Sequence, residues 1–371
     1  MQKLSVEDIK KLAERVATDK LAPRASEIDQ SRKFPWENIC ELRKVGFFGL
    51  GSEFNRLHFA TVVKEIAKAC ASTALVYVSH SIVEKAIEYA GSEATKKKWP
   101  PETLKKRGLG AFAVHEPGCG SNAGAITTRA KKDGHVYIVN GSKFFITSAG
   151  EADFYLVLVR TDPEKGPQGV STLLIEKDTP GLSFGRSEDK MGLRSTSSKE
   201  MAFSDCRVPT DNLIGNEGEG SQVIGKTVIG WGFYGAAAIS VGIAKSATEI
   251  AIKHAKERTI AGQHIAIHQA VQFMLTDMIL ETEASEALLT ACATQADQNP
   301  NTAILNGLKA KLFASENAVN VANKAIQVMG GHGYTSDYTV ERLFRDARGL
   351  TLHFKTSEWL RQDIAKAVIG V

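Results

Sequence analysis

The sequence predicts an α+β protein built of three successive parts, helical, then β, then helical, and three observations carry that reading. Apolar residues recur at three- and four-residue intervals from Ser5 to about Gly91, as in Val62, Ile66, Cys70 and Leu75, Val78, Ile82. From about Leu109 the pattern changes to short β-branched and aromatic segments bounded by Gly, Asp or Pro. After Gly218 the helical spacing returns. Strands and helices do not alternate, which excludes a doubly wound sheet. No Gly-x-Gly-x-x-Gly follows a strand, and there is no phosphate loop.

The first part, residues 1–108, reads as packed helices broken at Pro35, at the Gly-containing stretch 46–51, at Gly91 and at Pro100-Pro101. The second, 109–218, holds the strand-like runs GLGAFAVHEP, HVYIVNG, KFFITS, DFYLVLVRT and GVSTLLIEK. His135–Lys143 reads as a hairpin with Asn140-Gly141 at its turn. The third, 219–371, opens on a helix rich in small residues (Gly235, Ala236, Ala237, Ala238, Ser240, Gly242), which lets neighbouring helices approach closely, and helical periods continue through 263–290 and 301–328.

A length of 371 residues is long for one compact core, so several subdomains are expected. The 43% hydrophobic and 24% charged content is globular rather than disordered. No apolar run approaches the roughly 18 residues of a membrane span. The opening MQKLSVEDIKKLAERV lacks a signal peptide's apolar centre, so a soluble cytoplasmic protein is expected. A net charge of +4, spread along the chain without a basic block, gives no case for nucleic acid. The scattered Cys40, Cys70, Cys119, Cys206 and Cys292 form no CxxC pair, which points to reduced thiols and no metal site.

Four separate segments carry chemistry. In Val114-His115-Glu116-Pro117-Gly118-Cys119-Gly120-Ser121, the glycines allow close backbone approach to a ligand and Ser121 adds a hydroxyl donor. Val139–Ser148 reads VNGSKFFITS. Met191–Ser197, Val208-Pro209 and Leu213–Gly218 close the β part. Residues 326–361 contain Gly330-Gly331, Gly333-Tyr334, the run Glu341–Arg348 and Thr356-Ser357-Glu358. Together these resemble the acyl-CoA dehydrogenase family over essentially the whole chain.

The resemblance implies an N-terminal helical domain, a middle β-barrel or sandwich and a C-terminal four-helix bundle. It also implies FAD, held by Phe112, Val114, His115, Gly120, Ser121, Phe145, Ile146, Thr147, Gly331, Thr356 and Glu358. Arg258 and Gln327 would reach the cofactor of a neighbouring subunit in a homotetramer built as a dimer of dimers. A guanidinium suits a pyrophosphate because it offers several donors at once.

Where the family commonly places a catalytic glutamate, this chain has Phe354, within His353-Phe354-Lys355-Thr356. Some relatives carry the glutamate instead on the first long helix after the β-domain, where this chain reads Ile229-Gly230-Trp231-Gly232-Phe233. That segment also lacks the Asp and Arg that in relatives help bind CoA. His115 stands for a threonine and Ala261 for a phenylalanine near the cofactor. Substitute bases are His353, His80 and Tyr234.

The expected activity is FAD-dependent oxidoreduction at the CH–CH group of an acyl thioester, on CoA or a carrier protein. Electrons would pass to an electron-transfer flavoprotein or a similar acceptor. The alternatives are a flavin monooxygenase or oxidase on the same scaffold, and a catalytically silent subunit of a hetero-oligomeric dehydrogenase.

Overall fold

The computed structural model describes residues 5–49, 54–120 and 123–370. Helix α1 (Val6–Val16) opens under a capping box in which Ser5 Oγ accepts from Asp8 N–H and the Asp8 carboxylate accepts from Ser5 N–H. Then come α2 (Ala25–Ser31), α3 (Trp36–Lys44) starting behind Pro35, α4 (Arg56–Ala69) capped by Asn55, and α5 (Ala71–Ala90) ending at Gly91. Two short helices, α6 (Glu93–Lys98) and α7 (Pro101–Lys106), complete this part. The Pro100-Pro101 pair, expected as a break, also starts a helix: a proline in the first turn gives up an N–H that needs no intrahelical partner.

Eight strands form one sheet: β1 (Gly110–Ala113), β2 (Arg129–Asp133), β3 (Val136–Ile146), β4 (Phe154–Arg160), β5 (Val170–Glu176), β6 (Leu182–Ser187), β7 (Lys199–Pro209) and β8 (Leu213–Ile214). Their order is β6-β7-β3-β2-β4-β5-β8, with β1 parallel to β4. The expected hairpin turn at Asn140-Gly141 is overturned, because β3 runs straight through it. The real turn lies at Gly134, between β2 and β3. Asn140-Gly141 instead faces a matching irregularity at Asp205 of β7, and Asn140 and Asp205 exchange two hydrogen bonds of 3.0 and 2.9 Å.

A continuous helical stretch from Gly220 to Glu257 follows: α8 (Gly220–Ile224), a wider π-helical segment Gly225–Gly232, and α9 (Phe233–Glu257). It is long and apolar enough to cross a membrane, yet 89% of its most apolar window is buried inside the chain, so its apolarity is used in packing. After the small hairpin β9 (Thr259–Ile260)/β10 (Gln263–His264) come α10 (Gln269–Gln298), α11 (Ala303–Met329), α12 (Thr339–Leu350) and α13 (Ser357–Ile369). Helices α9–α12 pack side by side, with α4 and α5 against α9. The small residues of α9 make this possible. A Cβ on Gly235 would lie 2.6 Å from a Val78 methyl, and one on Gly242 would lie 2.4 Å from the Lys64 carbonyl oxygen.

The charged run Glu341–Arg348 is a structural tie. The Arg345 guanidinium donates to both Asp29 carboxylate oxygens (3.1 and 2.6 Å), to Glu341 and to the Met191 carbonyl. The next residue, the buried Asp346, accepts the Leu193 N–H at 2.6 Å. Helix α12 is thereby fastened to the first helical region and to the end of the β region, which fixes the loop that follows it.

Candidate active site

That loop, Thr351–Thr356, carries Phe354. Phe354 has φ +62°, and Lys355 N–H donates to the His353 carbonyl at 2.7 Å, so the backbone makes a tight three-residue turn centred on an aromatic residue. An aromatic side chain rarely adopts this conformation, and here the surroundings enforce it. The fully buried Lys311 ammonium on α11 donates to the Lys355 carbonyl at 2.7 Å and to the Thr351 carbonyl at 3.4 Å. The His115 imidazole donates to the Phe354 carbonyl.

The Phe354 ring lies nearly parallel to Phe112 (centroids 5.6 Å apart, 16° between planes) and edge-on to Phe233 (6.2 Å, 76°). It also meets the bare backbone of Gly232. A Cβ at 232 would sit 2.8 Å from Phe354 Cε1 and 2.8 Å from an Ile82 methyl. Positions 232 and 354, far apart in the chain, therefore converge on one spot, which a phenyl ring fills.

Of the candidate bases, His353 is next to Phe354 in the chain, and its ring lies against the Gly349 backbone. Its Nδ1–H donates to the Gly349 carbonyl at 2.9 Å, which leaves Nε2 as the acceptor nitrogen. Burial, followed by the charges of Lys190 and Lys311 and by His115, holds its pKa down to about 4. His80 lies two residues from Ile82 on α5 and so faces elsewhere. It accepts the Gly110 N–H at 2.9 Å, packs on Phe48 at 4.7 Å, and burial with Arg43 nearby pulls it down to about 3. Tyr234 is turned toward α11, where its hydroxyl donates to the Ala303 carbonyl at 2.8 Å, and burial raises its pKa.

Next to Phe354 stands the end of β3. Phe145 (φ +54°) and Ser148 (φ +63°) bracket the buried Ile146 and Thr147, and the Phe145 ring is 60% exposed. Ser148 Oγ is buried without a hydrogen-bond partner. The Leu193–Ser197 loop joins this bend to α12: Thr196 O accepts from Ser148 N–H at 2.8 Å, and Leu193 N–H reaches Asp346. Behind the bend, Lys143 donates to Glu116 (2.8 Å) and to the Val114 carbonyl (3.1 Å) in full burial. Burial pushes Glu116 upward, but Lys143 and donors from Thr127 and Thr128 outweigh it and bring its pKa to about 2. Gly120 is exposed, with open space where a Cβ would be, and Ser121 lies outside the described residues.

Arg258, Gln327 and Gly331 are exposed at the ends of α9 and α11. Rings of His254 and His332 join the two ends at 5.8 Å. Among the described residues, no hydrogen bond or ring contact ties these three to Phe354 or Phe145. Thr356 and Glu358 begin α13, where Glu358 accepts from the Thr356 side chain. The arrangement fits a flavin. It offers an exposed aromatic edge at Phe145, an unpartnered buried hydroxyl at Ser148, open glycine backbone at Gly118, Gly120, Gly330 and Gly331, and an exposed guanidinium at Arg258.

Sequence reading did not single out Lys311, the Glu116–Lys143 pair, Ser148 or Phe233. For Lys311 a signal existed: it falls on the apolar stripe Gly307, Lys311, Ala314, Ala318 of α11, where a solvated lysine has no place.

Comparison with known proteins agrees with this geometry. The family described as "Acyl-CoA dehydrogenase, N-terminal domain" matches residues 5–107, its middle domain matches 111–206 and its C-terminal domain 218–369. The chain belongs to the acyl-CoA dehydrogenase family, whose members are oxidoreductases. It is 39% identical to the cyclohex-1-ene-1-carbonyl-CoA dehydrogenase of Syntrophus aciditrophicus, over 99% of this chain and 90% of that protein. It is 38% identical to the acryloyl-CoA reductase (NADH) of Anaerotignum propionicum, over 98% and 94%. The butyryl-CoA dehydrogenase structure from Megasphaera elsdenii superposes with a TM-score of 0.94 at 32% identity, covering 99% of both chains.

Proposed function

We propose that this chain is an FAD-dependent oxidoreductase that interconverts a CH–CH bond and a double bond in the acyl group of a thioester, without a protein carboxylate at the α-carbon. The observation that carries this reading is the convergence of Phe354 and Gly232 on one apolar spot beside Phe112. Bound FAD would accept or return the hydride. Phe145 and Thr147 would flank its ring, Ser148 and the Gly118–Gly120 backbone would supply donors, and Arg258 with Gln327 would act on a neighbouring copy in a homo-oligomer. The division into parts at residues 108 and 218 belongs to the same reading.

The chain's own contribution at the reacting carbons is mostly apolar. Phe112, Phe233 and Phe354 make an aromatic wall that suits a flat, cyclic or conjugated acyl group and excludes water. That a relative is named for a cyclohexene thioester supports this choice. The proton would be exchanged with His353 Nε2, which is unprotonated at neutral pH. The thioester carbonyl would be polarised by the Phe354 N–H, a donor that survives the change of side chain.

The test is anaerobic mixing of the yellow protein with acyl-CoA thioesters, watching the flavin bleach. Cyclic unsaturated thioesters should bleach it and butyryl-CoA should not. Bleaching by none of them, with a glutamate-bearing homologous chain co-purifying, would instead identify a silent subunit.

A further inference from the structure

The carbonyl oxygens of the 351–355 turn are not left to solvent or to one another. Lys311 takes those of Thr351 and Lys355, His115 takes that of Phe354, and the Lys355 N–H takes that of His353. The N–H of Phe354 alone has no acceptor among the described residues. Lys311 is also unusual in itself. Its Nζ is buried, no ion pair joins it to a carboxylate among the described residues, burial brings its pKa down to about 7, and both its hydrogen bonds go to main-chain carbonyls of this one turn. Removing an ammonium from water without a counter-ion is costly, and the return here is the fixed orientation of two peptide units. The neighbouring charges, Glu316 and Glu358, act on it only at longer range.

We infer that Lys311 is a positioning residue: by holding the Thr351 and Lys355 carbonyls on one side of the turn, it aims the Phe354 N–H at the thioester carbonyl. The inference rests on the function proposed above. The Phe354 N–H shares its peptide plane with the His353 carbonyl, which the Lys355 N–H takes at 2.7 Å. Lys311 acts on that plane from the flanking peptides, by anchoring the carbonyls at the two ends of the turn. His115 holds the next peptide along, through the Phe354 carbonyl. The donor is main chain, so it does not depend on which side chain stands at position 354.

The experiment is infrared spectroscopy of acetyl-CoA isotope-labelled at its thioester carbonyl, bound to the FAD-loaded protein and to Lys311→Met. Methionine keeps the length and removes the ammonium. In the parent, the bound carbonyl band should shift to lower frequency than in water, the signature of a strong donor. In Lys311→Met most of that shift should vanish. A parent without the shift overturns the proposed thioester site itself. A parent with the shift and a folded Lys311→Met that keeps it overturns only the role of Lys311. Should Lys311→Met not fold, amide hydrogen exchange in the parent decides. Phe354 N–H should exchange freely without ligand and become protected with acetyl-CoA, while unchanged exchange overturns the inference.

Discussion

Phe354 and Gly232 share one space: the phenyl edge stands 2.8 Å from where a side chain on position 232 would begin. A phenyl at 354 requires glycine at 232, and glycine at 232 leaves room for phenyl at 354. The two residues are a single packing solution.

Phe354→Glu should create or increase ordinary α,β-dehydrogenation of saturated acyl-CoA. The backbone already aims position 354 at the site, and a positioned base contributes about 100- to 10,000-fold. The Lys355 ammonium is engaged with Asp363 and lies over Trp359, so it would not neutralise the new carboxylate. Burial between Phe112 and Phe233 should raise the glutamate's pKa, at a stability cost of a few kcal/mol. Flavin bleaching by butyryl- through octanoyl-CoA no faster than in the parent would show that position 354 does not face the α-carbon.

Gly232→Glu alone should lower the melting temperature, because its Cβ meets Phe354 and Ile82. Overpacking of this kind costs about 1–3 kcal/mol. Combined with Phe354→Gly, the same change should regain stability and bleach with saturated acyl-CoA. Thermal melts of the two variants separate the outcomes, and equal melting temperatures would count against the shared space.

Lys143→Met should destabilise the fold by about 3–5 kcal/mol, since it leaves the buried Glu116 carboxylate without its cation. Glu116→Gln together with Lys143→Met should recover a good part of the loss, measurable by urea titration. Loss of stability in the single variant no larger than in the double would refute the pairing argument.

Stability should decline as pH falls from about 6.5 toward 4. His353 and His80 stay unprotonated in the folded chain down to about 4 and about 3, while the unfolded chain takes up protons on them. Each contributes a slope of roughly 1.4 kcal/mol per pH unit. The buried Asp346, raised to about 6, opposes one of them, because the folded form binds its proton first. Glu116 and Glu286, both near 2, add their own loss only below 4.5. Replacing both histidines with glutamine should flatten the curve between pH 6 and 4.5, and an unchanged slope would overturn the assignment.

Arg258→Ala should reduce FAD occupancy while far-ultraviolet circular dichroism stays as in the parent. The side chain is exposed at the end of α9, so the fold does not depend on it. Full flavin retention would remove Arg258 from the cofactor site.

The helices and the buried strands were legible because their periodicity is strong. The apolar runs of β4 and β5 were anticipated, and Val62–Ile66–Cys70 spacing marked α4. Strand β2 (Arg129–Asp133) was not, since only Ala130 of its five residues is buried and it offers no alternation to read. In β7 the alternation is present as Met201, Phe203, then Cys206, Val208, but it slips by one at Asp205, where φ is +48°. That slip faces Asn140-Gly141, whose Asn-Gly pair reads as a turn until its partner strand is known. At the site, the motif residues drew attention to position 354, but the Phe354–Gly232 contact joins segments far apart in the chain. Nor do the left-handed conformations of Phe145, Ser148 and Phe354 have any sequence signature, because those residue types avoid that region.

Arg345 touches Asp29 near one end of the chain, Met191 in the middle and Glu341 near the other end, through a single guanidinium. A side chain shared in this way makes the three segments mechanically one body. The helical and β parts should not melt in separate steps, and a fragment ending before α12 would lose the cation that Asp29 was placed to meet. What looks in the sequence like a string of domains behaves, through this one residue, as an arch closed by its keystone.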